Sequence, residues 1–467
     1  MITFALRFAR NIILAHLLTR FDYGACVALI AVVTSAQLLT DFGFDKLLVQ
    51  ERSLAIETLQ PVLTALSVLR AGFGGLLLLV LSKPLAVMFG APNAIGSFAL
   101  LAVGVVLQGF SHLDLVRVQR SHQFAPLAWQ NLVVSVVDFV VVLTWAYLFR
   151  GFLAVPIAFV ASTVAGILVS QLLAEERFCL RWDTTVVRRA WTFGSPLVLS
   201  GIVILLASQA DRLLVGASLG LPVLAVYGAA MTIIATPTSF VSNIVITVLL
   251  PTLSEVISNE AAFAKRFKYV GIVITFVAGI IFMPVMFLGK PVITRVFGPA
   301  YSPEFELIWV IVLGQAAALL RVWPNIGALA LGDTRNLIVS NIPRAIGVVF
   351  ALAAIHLGFG LMGIAVSFAF GEVISLASAL WHLRHRRPHL LLGSFLLFTI
   401  LYTGILLAAE TSYHIEGQVV AAVAASLAFN CLLGVVFLAV STESRIVLKT
   451  LFRRIIGRGK QTRMPQQ

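Results

Sequence analysis

The chain has 467 residues, of which 60% are hydrophobic and 11% charged, with a mean hydropathy of +1.01 and a formal net charge of +13. Soluble domains carry about 25% charged residues, and a surface this apolar would not stay dissolved in water. Composition therefore excludes a water-soluble globular protein and predicts an all-α polytopic membrane protein.

In chain order, apolar runs fall at about 2–19, 23–42, 60–82, 95–114, 126–149, 152–174, 194–215, 222–246, 269–289, 305–323, 336–357, 360–381, 390–409 and 418–440. Each is near the roughly 20 residues that a helix needs to cross a bilayer core, so about 14 transmembrane helices are expected. The connections are short and leave no room for a folded soluble domain. The first run lacks a basic leader and a small-residue cleavage site, so no cleavable signal is expected.

The basic residues orient these spans. With the N-terminus in the cytoplasm, 22 of the 33 Lys and Arg residues fall in inner loops and the tail, five in outer loops and six within spans. The outer five are Arg20, Lys83, Arg150, Lys290 and Arg295. This bias follows the positive-inside rule and predicts cytoplasmic termini. The surplus charge then faces anionic headgroups, and no nucleic-acid partner is expected. The segment "SEVISNEAAFAKRFKYVG" (254–271) is expected as a short connecting helix lying along the cytoplasmic surface.

An internal repeat organises the chain. Arg10 precedes Tyr23-Gly24-Ala25 much as Arg212 precedes Tyr227-Gly228-Ala229, and "GFLAVPIA" from Gly151 matches "GFGLMGIA" from Gly358. The offsets are 202, 204 and 207 residues, which indicates a duplicated block of about six helices. An even number makes the copies parallel, related by an axis along the membrane normal, with substrate expected at their interface. The expected domains are a six-helix lobe over 1–180, a second over 181–389, two additional helices over 390–440 and a basic cytoplasmic tail over 441–467. Gly358, Gly360 and Gly363 also fit the dinucleotide pattern GxGxxG, but they join two spans with no strand before them, so a tight turn with close helix packing is expected instead.

Ionisable residues inside spans are costly and are functional candidates by default. They are Arg7, Arg10, Arg70, Asp114, Asp138, Asp211, Arg212, Arg321, Arg344 and Glu372, with Asp41 at the inner end of a span. One reading is structural: pairs such as Asp138 with Arg70, or Asp211 with Arg212 at a helix end, that orient helices. The other is a cavity lined by arginines, whose planar fork suits bidentate phosphate binding. The three cysteines, Cys26, Cys179 and Cys431, lack CxxC spacing and are expected to be unpaired packing residues. His382, His385 and His389 lie among arginines and suggest a basic surface rather than zinc. No metal, cofactor or catalytic constellation is expected.

The block "NIILAHLLTRFDYGACVALIAVVTSAQLLTDFGFDKLLVQ" (11–50) resembles the opening of polysaccharide-export flippases. The matching residues are Leu17, Leu18, Tyr23, Gly24, Asp41, Phe42, Gly43, Val49 and Gln50. The stretch from Asp211-Arg212 through Tyr227-Gly228 to "LLPTLSE" (249–255) is similar to the same family's second-lobe start, and "RVFGPAYSP" (295–303) to its outer loop after the ninth span. The family's first span commonly begins ten or more residues further upstream, so the start at Met1 sets the placement of Arg7 and Arg10 apart from the family pattern.

The resemblance is to the Wzx-like lipopolysaccharide and exopolysaccharide branch of the multidrug/oligosaccharidyl-lipid/polysaccharide exporter superfamily. It implies a non-enzymatic inner-membrane flippase that moves an undecaprenyl-pyrophosphate-linked oligosaccharide by alternating access, with polysaccharide polymerase and chain-length proteins as expected partners. On that reading Arg10, Arg70, Arg212, Arg321 and Arg344 hold phosphate or sugar. Asp41, Asp138, Asp211 and Glu372 pair with them or carry coupling protons, and the spans within 390–440 shelter the prenyl tail. Two alternatives stand beside it: a multidrug/cation antiporter of the same superfamily, and a membrane glycan polymerase or ligase.

Overall fold

The computed structural model describes residues 2–386, apart from 52–54, 122 and 334. The expected spans at 390–409 and 418–440, the basic tail, His389 and Cys431 lie outside the described residues. Among the described residues there is no strand. The helices are α1 (Ile2–Leu17), α2 (Arg20–Leu39), α3 (Phe44–Gln50), α4 (Ile56–Met88), α5 (Ile95–Gln108), α6 (Asp114–Arg117), α7 (Ala125–Phe149) and α8 (Ala154–Leu172). They continue as α9 (Thr184–Ser208), α10 (Ala210–Leu219), α11 (Leu221–Ser254), α12 (Glu260–Phe297), α13 (Phe305–Ala330), α14 (Arg335–His356) and α15 (Gly360–Arg386).

Ten of these are long and apolar enough to cross a membrane: α2, α4, α7, α8, α9 and α11 to α15. Two shorter helices, α1 with 16 residues and α5 with 14, occupy the remaining span positions expected before residue 387. At about 1.5 Å per residue, α1 reaches about 24 Å. Large apolar side chains line the outer faces without burial, among them Leu69, Phe73, Leu76 and Val80 on α4 and Trp129, Val136, Val140 and Tyr147 on α7. Hydrocarbon, not water, is the solvent for such faces.

The chain divides into two compact units. The first comprises Met1–Thr236, Lys290–Gly314 and Ile338–Ser375. Within it α4 packs on α5, α7 on α8, α1 on α7, and α2 on α9 and α10. Two glycines bring α2 and α11 together: a Cβ on Gly24 would strike the Leu221 carbonyl oxygen, and one on Gly228 would stand 2.9 Å from Val27 Cγ2. The repeated Tyr-Gly-Ala triplets thus pack each glycine on the other copy's helix. Tyr23 and Tyr227, which precede them, are both buried.

The second unit comprises Pro237–Gly289, Gln315–Leu337 and Leu376–Gln467. Its core joins α12 to α13. The Phe267 ring stacks on Trp323 at 4.6 Å, Trp323 Nε1 donates to the Phe267 carbonyl at 2.8 Å, and Gly271 leaves room for the indole.

Three expectations about the helices are corrected. Of the stretch expected as a surface helix over 254–271, Ser254 ends α11, 255–259 form a turn, and the rest is the first turns of the 38-residue α12. Asn259 accepts from the Ala262 N–H at 3.0 Å at its start, and Phe263 and Phe267 turn inward, so aromatic packing rather than headgroups claims that face. The seventh span, read as one run over 194–215, is broken at Gln209 between α9 and α10. No Pro or Gly marks residues 207–210, so the apolar pattern carries no sign of the break. Asp114, read as embedded, lies on the four-residue α6, beyond the end of α5.

The expectations for the glycine turn stand. Gly358 and Gly360 take positive φ, 78° and 57°, in the turn joining α14 to α15. A Cβ on Gly363 would stand 2.9 Å from Ala354 Cβ, the close packing expected there. Cys26 is buried, as a packing residue is, whereas Cys179 is exposed and does not pack as expected. His382, expected on a basic surface, is instead partly buried 3.3 Å from the Asp333 carboxylate.

Candidate functional site

The site begins where α2 ends. Asp41 follows the last turn, and its Oδ1 accepts the Gly43 N–H at 2.9 Å. This Asx turn needs a left-handed residue, which Gly43 supplies at φ 64° as it starts α3. The Asp-Phe-Gly motif is therefore a device for reversing the chain. It leaves Asp41 beside two cations, Lys46 Nζ at 3.6 Å and Arg70 Nη1 at 3.7 Å. Arg70 comes from the first half of α4, and its guanidinium lies 5.9 Å above the Phe44 ring.

These residues border a cavity of about 320 Å³ lined by Thr34, Gln37, Leu38, Thr40, Asp41, Asp45, Arg70, Ala71, Val105 and Gln108. Gln37 Nε2 donates to Gln108 Oε1 at 3.1 Å across it. Asp45 opens to the cavity yet is walled by protein. That desolvation, with the Asp41 charge, pushes its carboxyl above the ordinary value against the pull of Arg70. Sequence reasoning missed Gln37, Gln108 and Asp45. The available signal was an amide in the last turn of an apolar helix, four residues before Asp41 (Gln37).

The structure places the other candidates in pairs. Arg10 Nη1 donates to Asp138 Oδ2 at 2.7 Å, tying α1 to α7. Asp138 thus pairs with Arg10 and not with Arg70, because α1 packs on α7 while Arg70 lies near the end of α2. Arg344 Nε donates to Glu372 Oε1 at 2.6 Å, Nη1 to Asn341 at 3.1 Å and Nη2 to the Ala207 carbonyl at 3.2 Å. Asp211 and Arg212 turn away from each other. Asp211 Oδ2 accepts from the buried Tyr227 hydroxyl at 2.9 Å, while Arg212 donates to Gln209 at 3.1 Å. Arg321 lies in the second unit, on α13 two residues before Trp323, and Arg7 is exposed on α1.

Two classes of cation result. Arg10 and Arg344 sit within hydrogen-bond distance of buried or half-buried carboxylates, whose attraction in a low dielectric largely occupies them. Arg70 stands beyond hydrogen-bond distance of Asp41 and donates to no other residue among the described ones. It faces the cavity with its donors available. Among the described residues no group of three or more His, Cys, Asp or Glu is placed to hold a metal ion.

Comparison with known proteins agrees with this architecture. The family described as polysaccharide biosynthesis protein matches residues 13–305. The succinoglycan biosynthesis transport protein ExoT of Rhizobium meliloti (strain 1021) is 23% identical over 321 residues, covering 67% of this chain and 63% of that protein. The chain thus spans less than two thirds of the length of that relative. Among solved structures, the lipid II flippase MurJ in an inward closed conformation superposes with a TM-score of 0.70 at 11% identity, covering 93% of this chain and 97% of the other. An inward-facing multidrug resistance MATE family transporter of the MOP superfamily gives 0.67 at 14% identity, covering 84% and 96%. These relatives are transporters and flippases rather than enzymes. The fold is that of the superfamily to which the sequence was likened, and the chain belongs to the polysaccharide biosynthesis protein family, as a multi-pass membrane protein.

Proposed function

We propose that the protein flips an undecaprenyl-pyrophosphate-linked oligosaccharide across the bacterial inner membrane by alternating access, for lipopolysaccharide or exopolysaccharide assembly. A sugar-pyrophosphate headgroup cannot cross hydrocarbon unaided, because every desolvated polar group costs several kcal/mol (roughly 2–7 each). Lobes at 1–180 and 181–389 would shelter it, with the termini cytoplasmic and the spans within 390–440 beside the prenyl chain. Polymerase and chain-length proteins would receive the product outside. The family match over 13–305 carries this reading, together with the relative named for succinoglycan transport.

Arg70, whose donors face the cavity, is the first residue expected to meet the headgroup. Arg10, Arg212, Arg321 and Arg344 are proposed to engage it as the lobes rearrange, which requires Arg10 and Arg344 to exchange Asp138 and Glu372 for ligand. Asp41, Asp138, Asp211 and Glu372 would hold those arginines between cycles or carry coupling protons. The likeness to a multidrug transporter supports a second reading, cation antiport. The family match and the surplus of embedded arginines weigh against it.

The test is removal of the protein from its host. Build-up of the lipid-linked sugar on the inner leaflet, reversed by the native chain and not by an equally expressed Arg70→Ala variant, is the expected result. Surface polysaccharide unchanged by the deletion would refute the reading. Proton-driven exchange of cationic dyes by purified protein would favour the antiporter.

A further inference from the structure

We propose that the cavity beside Arg70 is a sugar-ring subsite, which takes one or two hydroxylated rings of the lipid-linked glycan close to its pyrophosphate. This inference rests on the flippase reading and gives it a recognition element for the sugar.

Size limits the occupant. About 320 Å³ is at the small end of ligand pockets, which run from roughly 300 to 1,000 Å³. Such a space suits one or two rings, not a whole repeat unit and not a prenyl chain.

Charge limits it further. Asp41, Asp45 and Arg70 line the cavity, and Lys46, outside the lining, stands 3.6 Å from Asp41, so the formal charges in and beside the cavity cancel. A phosphate group calls for surplus cationic donors, and a hard metal ion calls for surplus oxygen ligands of negative charge. A balanced site favours a neutral, polar ligand.

The lining then specifies hydroxyl groups, each able to donate and accept. Gln37 spends one amide hydrogen on Gln108, which leaves the Gln37 carbonyl oxygen and the Gln108 amide hydrogens for a ligand. The hydroxyl protons of Thr34 and Thr40 go to the carbonyls of Ile30 and Ala36, so both oxygens remain acceptors. Arg70 and Asp41, 3.7 Å apart, attract each other without consuming their hydrogen-bonding capacity. The cavity therefore offers both donors and acceptors, as ring hydroxyls require. Leu38, Ala71 and Val105 supply apolar surface for the ring's C–H face.

The experiment uses the full chain in lipid nanodiscs with two probes: undecaprenyl pyrophosphate, and the undecaprenyl-pyrophosphate-linked oligosaccharide extracted from host membranes. Native protein is expected to bind the sugar-bearing probe at least about tenfold more tightly. A Gln37→Leu/Gln108→Leu variant is expected to lose that margin while holding bare undecaprenyl pyrophosphate as native protein does. Should the double variant fail to fold, Thr34→Val and Gln37→Glu, which preserve bulk, are expected to shrink the margin severalfold. A margin that survives in folded variants overturns the subsite. Equal binding of both probes by native protein also overturns it and leaves the flippase reading intact, whereas failure to hold either probe brings down both.

Discussion

The Tyr227 hydroxyl donates to Asp211 Oδ2 at 2.9 Å, linking the first turn of α10 to α11 where both residues are buried. Asp211 Oδ1 is buried as well and has no hydrogen-bond partner among the described residues. A carboxylate so placed depends on its single donor. Tyr227→Phe is expected to destabilise the protein by about 1–3 kcal/mol, the cost of leaving a buried polar group unsatisfied. Tyr227→Phe combined with Asp211→Leu, which removes both partners, is expected to recover most of the loss. Thermal unfolding in detergent reads both, and a Tyr227→Phe variant as stable as native protein would show that the bond contributes nothing.

That bond also marks how far the sequence could be read. Most spans before residue 387 were legible, because bilayer thickness fixes their length and an apolar run declares itself, though not the break at Gln209. The two Tyr-Gly-Ala triplets were legible too, and they pack against one another's helices through Gly24 and Gly228. The ionisable candidates were legible as a set, since each embedded charge stands out against hydrocarbon. Their partners were not. Asp138 is 128 residues from Arg10, and nothing local announces that α1 packs on α7. Asp211 and Arg212 are adjacent in sequence, but neighbours on a helix point about 100° apart, and each found a partner elsewhere. Gln37 and Gln108 were passed over because they carry no charge.

Arg344 and Glu372 separate structural from functional roles. Breaking a buried pair by removing one member costs about 3–5 kcal/mol, so Arg344→Ala is expected to lower stability whether or not the arginine meets substrate. Replacing both with apolar residues of similar volume, Arg344→Met with Glu372→Leu, is expected to restore stability. Surface-polysaccharide output in that double variant then isolates the chemistry. Output at the native level would remove Arg344 from substrate handling, and loss of output at native stability would keep it there.

The α2–α11 seam predicts an order of sensitivity. A side chain at Gly24 meets a backbone carbonyl, which cannot rotate away, whereas one at Gly228 meets the Val27 side chain. Gly24→Val is expected to lower the unfolding midpoint more than Gly228→Ala, the latter costing about 1–3 kcal/mol as an overpacking strain. Measurement of both in one detergent decides it, and the reverse order would place the tighter contact at Gly228.

The turn between α5 and α7 sets two pH windows. Burial alone would push the Asp114 carboxyl up. The hydrogen bonds from Arg117 and the Glu175 N–H, with the Arg117 charge, outweigh burial and hold the carboxyl below its ordinary 3.8. Arg117 also reaches Glu175 at 2.8 Å, so Asp114 fastens α6 to the chain after α8. A depressed carboxyl contributes stability that is fully present above 3.8 and lost as pH falls through its folded value. Burial pushes the His112 imidazole below its ordinary 6.5, against the opposing pull of the neighbouring Asp114 carboxylate. The unfolded chain takes up a proton there before the folded chain does. That contribution is present above 6.5 and lost as pH falls through the folded value. Acidification from pH 8 to pH 5 is therefore expected to lower the unfolding midpoint through His112 while Asp114 still holds. His112→Gln should flatten that part of the profile, and Asp114→Asn should lower stability across the whole range by about 1.5–3 kcal/mol. A His112→Gln profile with the native slope between pH 8 and pH 5 would assign the acid sensitivity to another group.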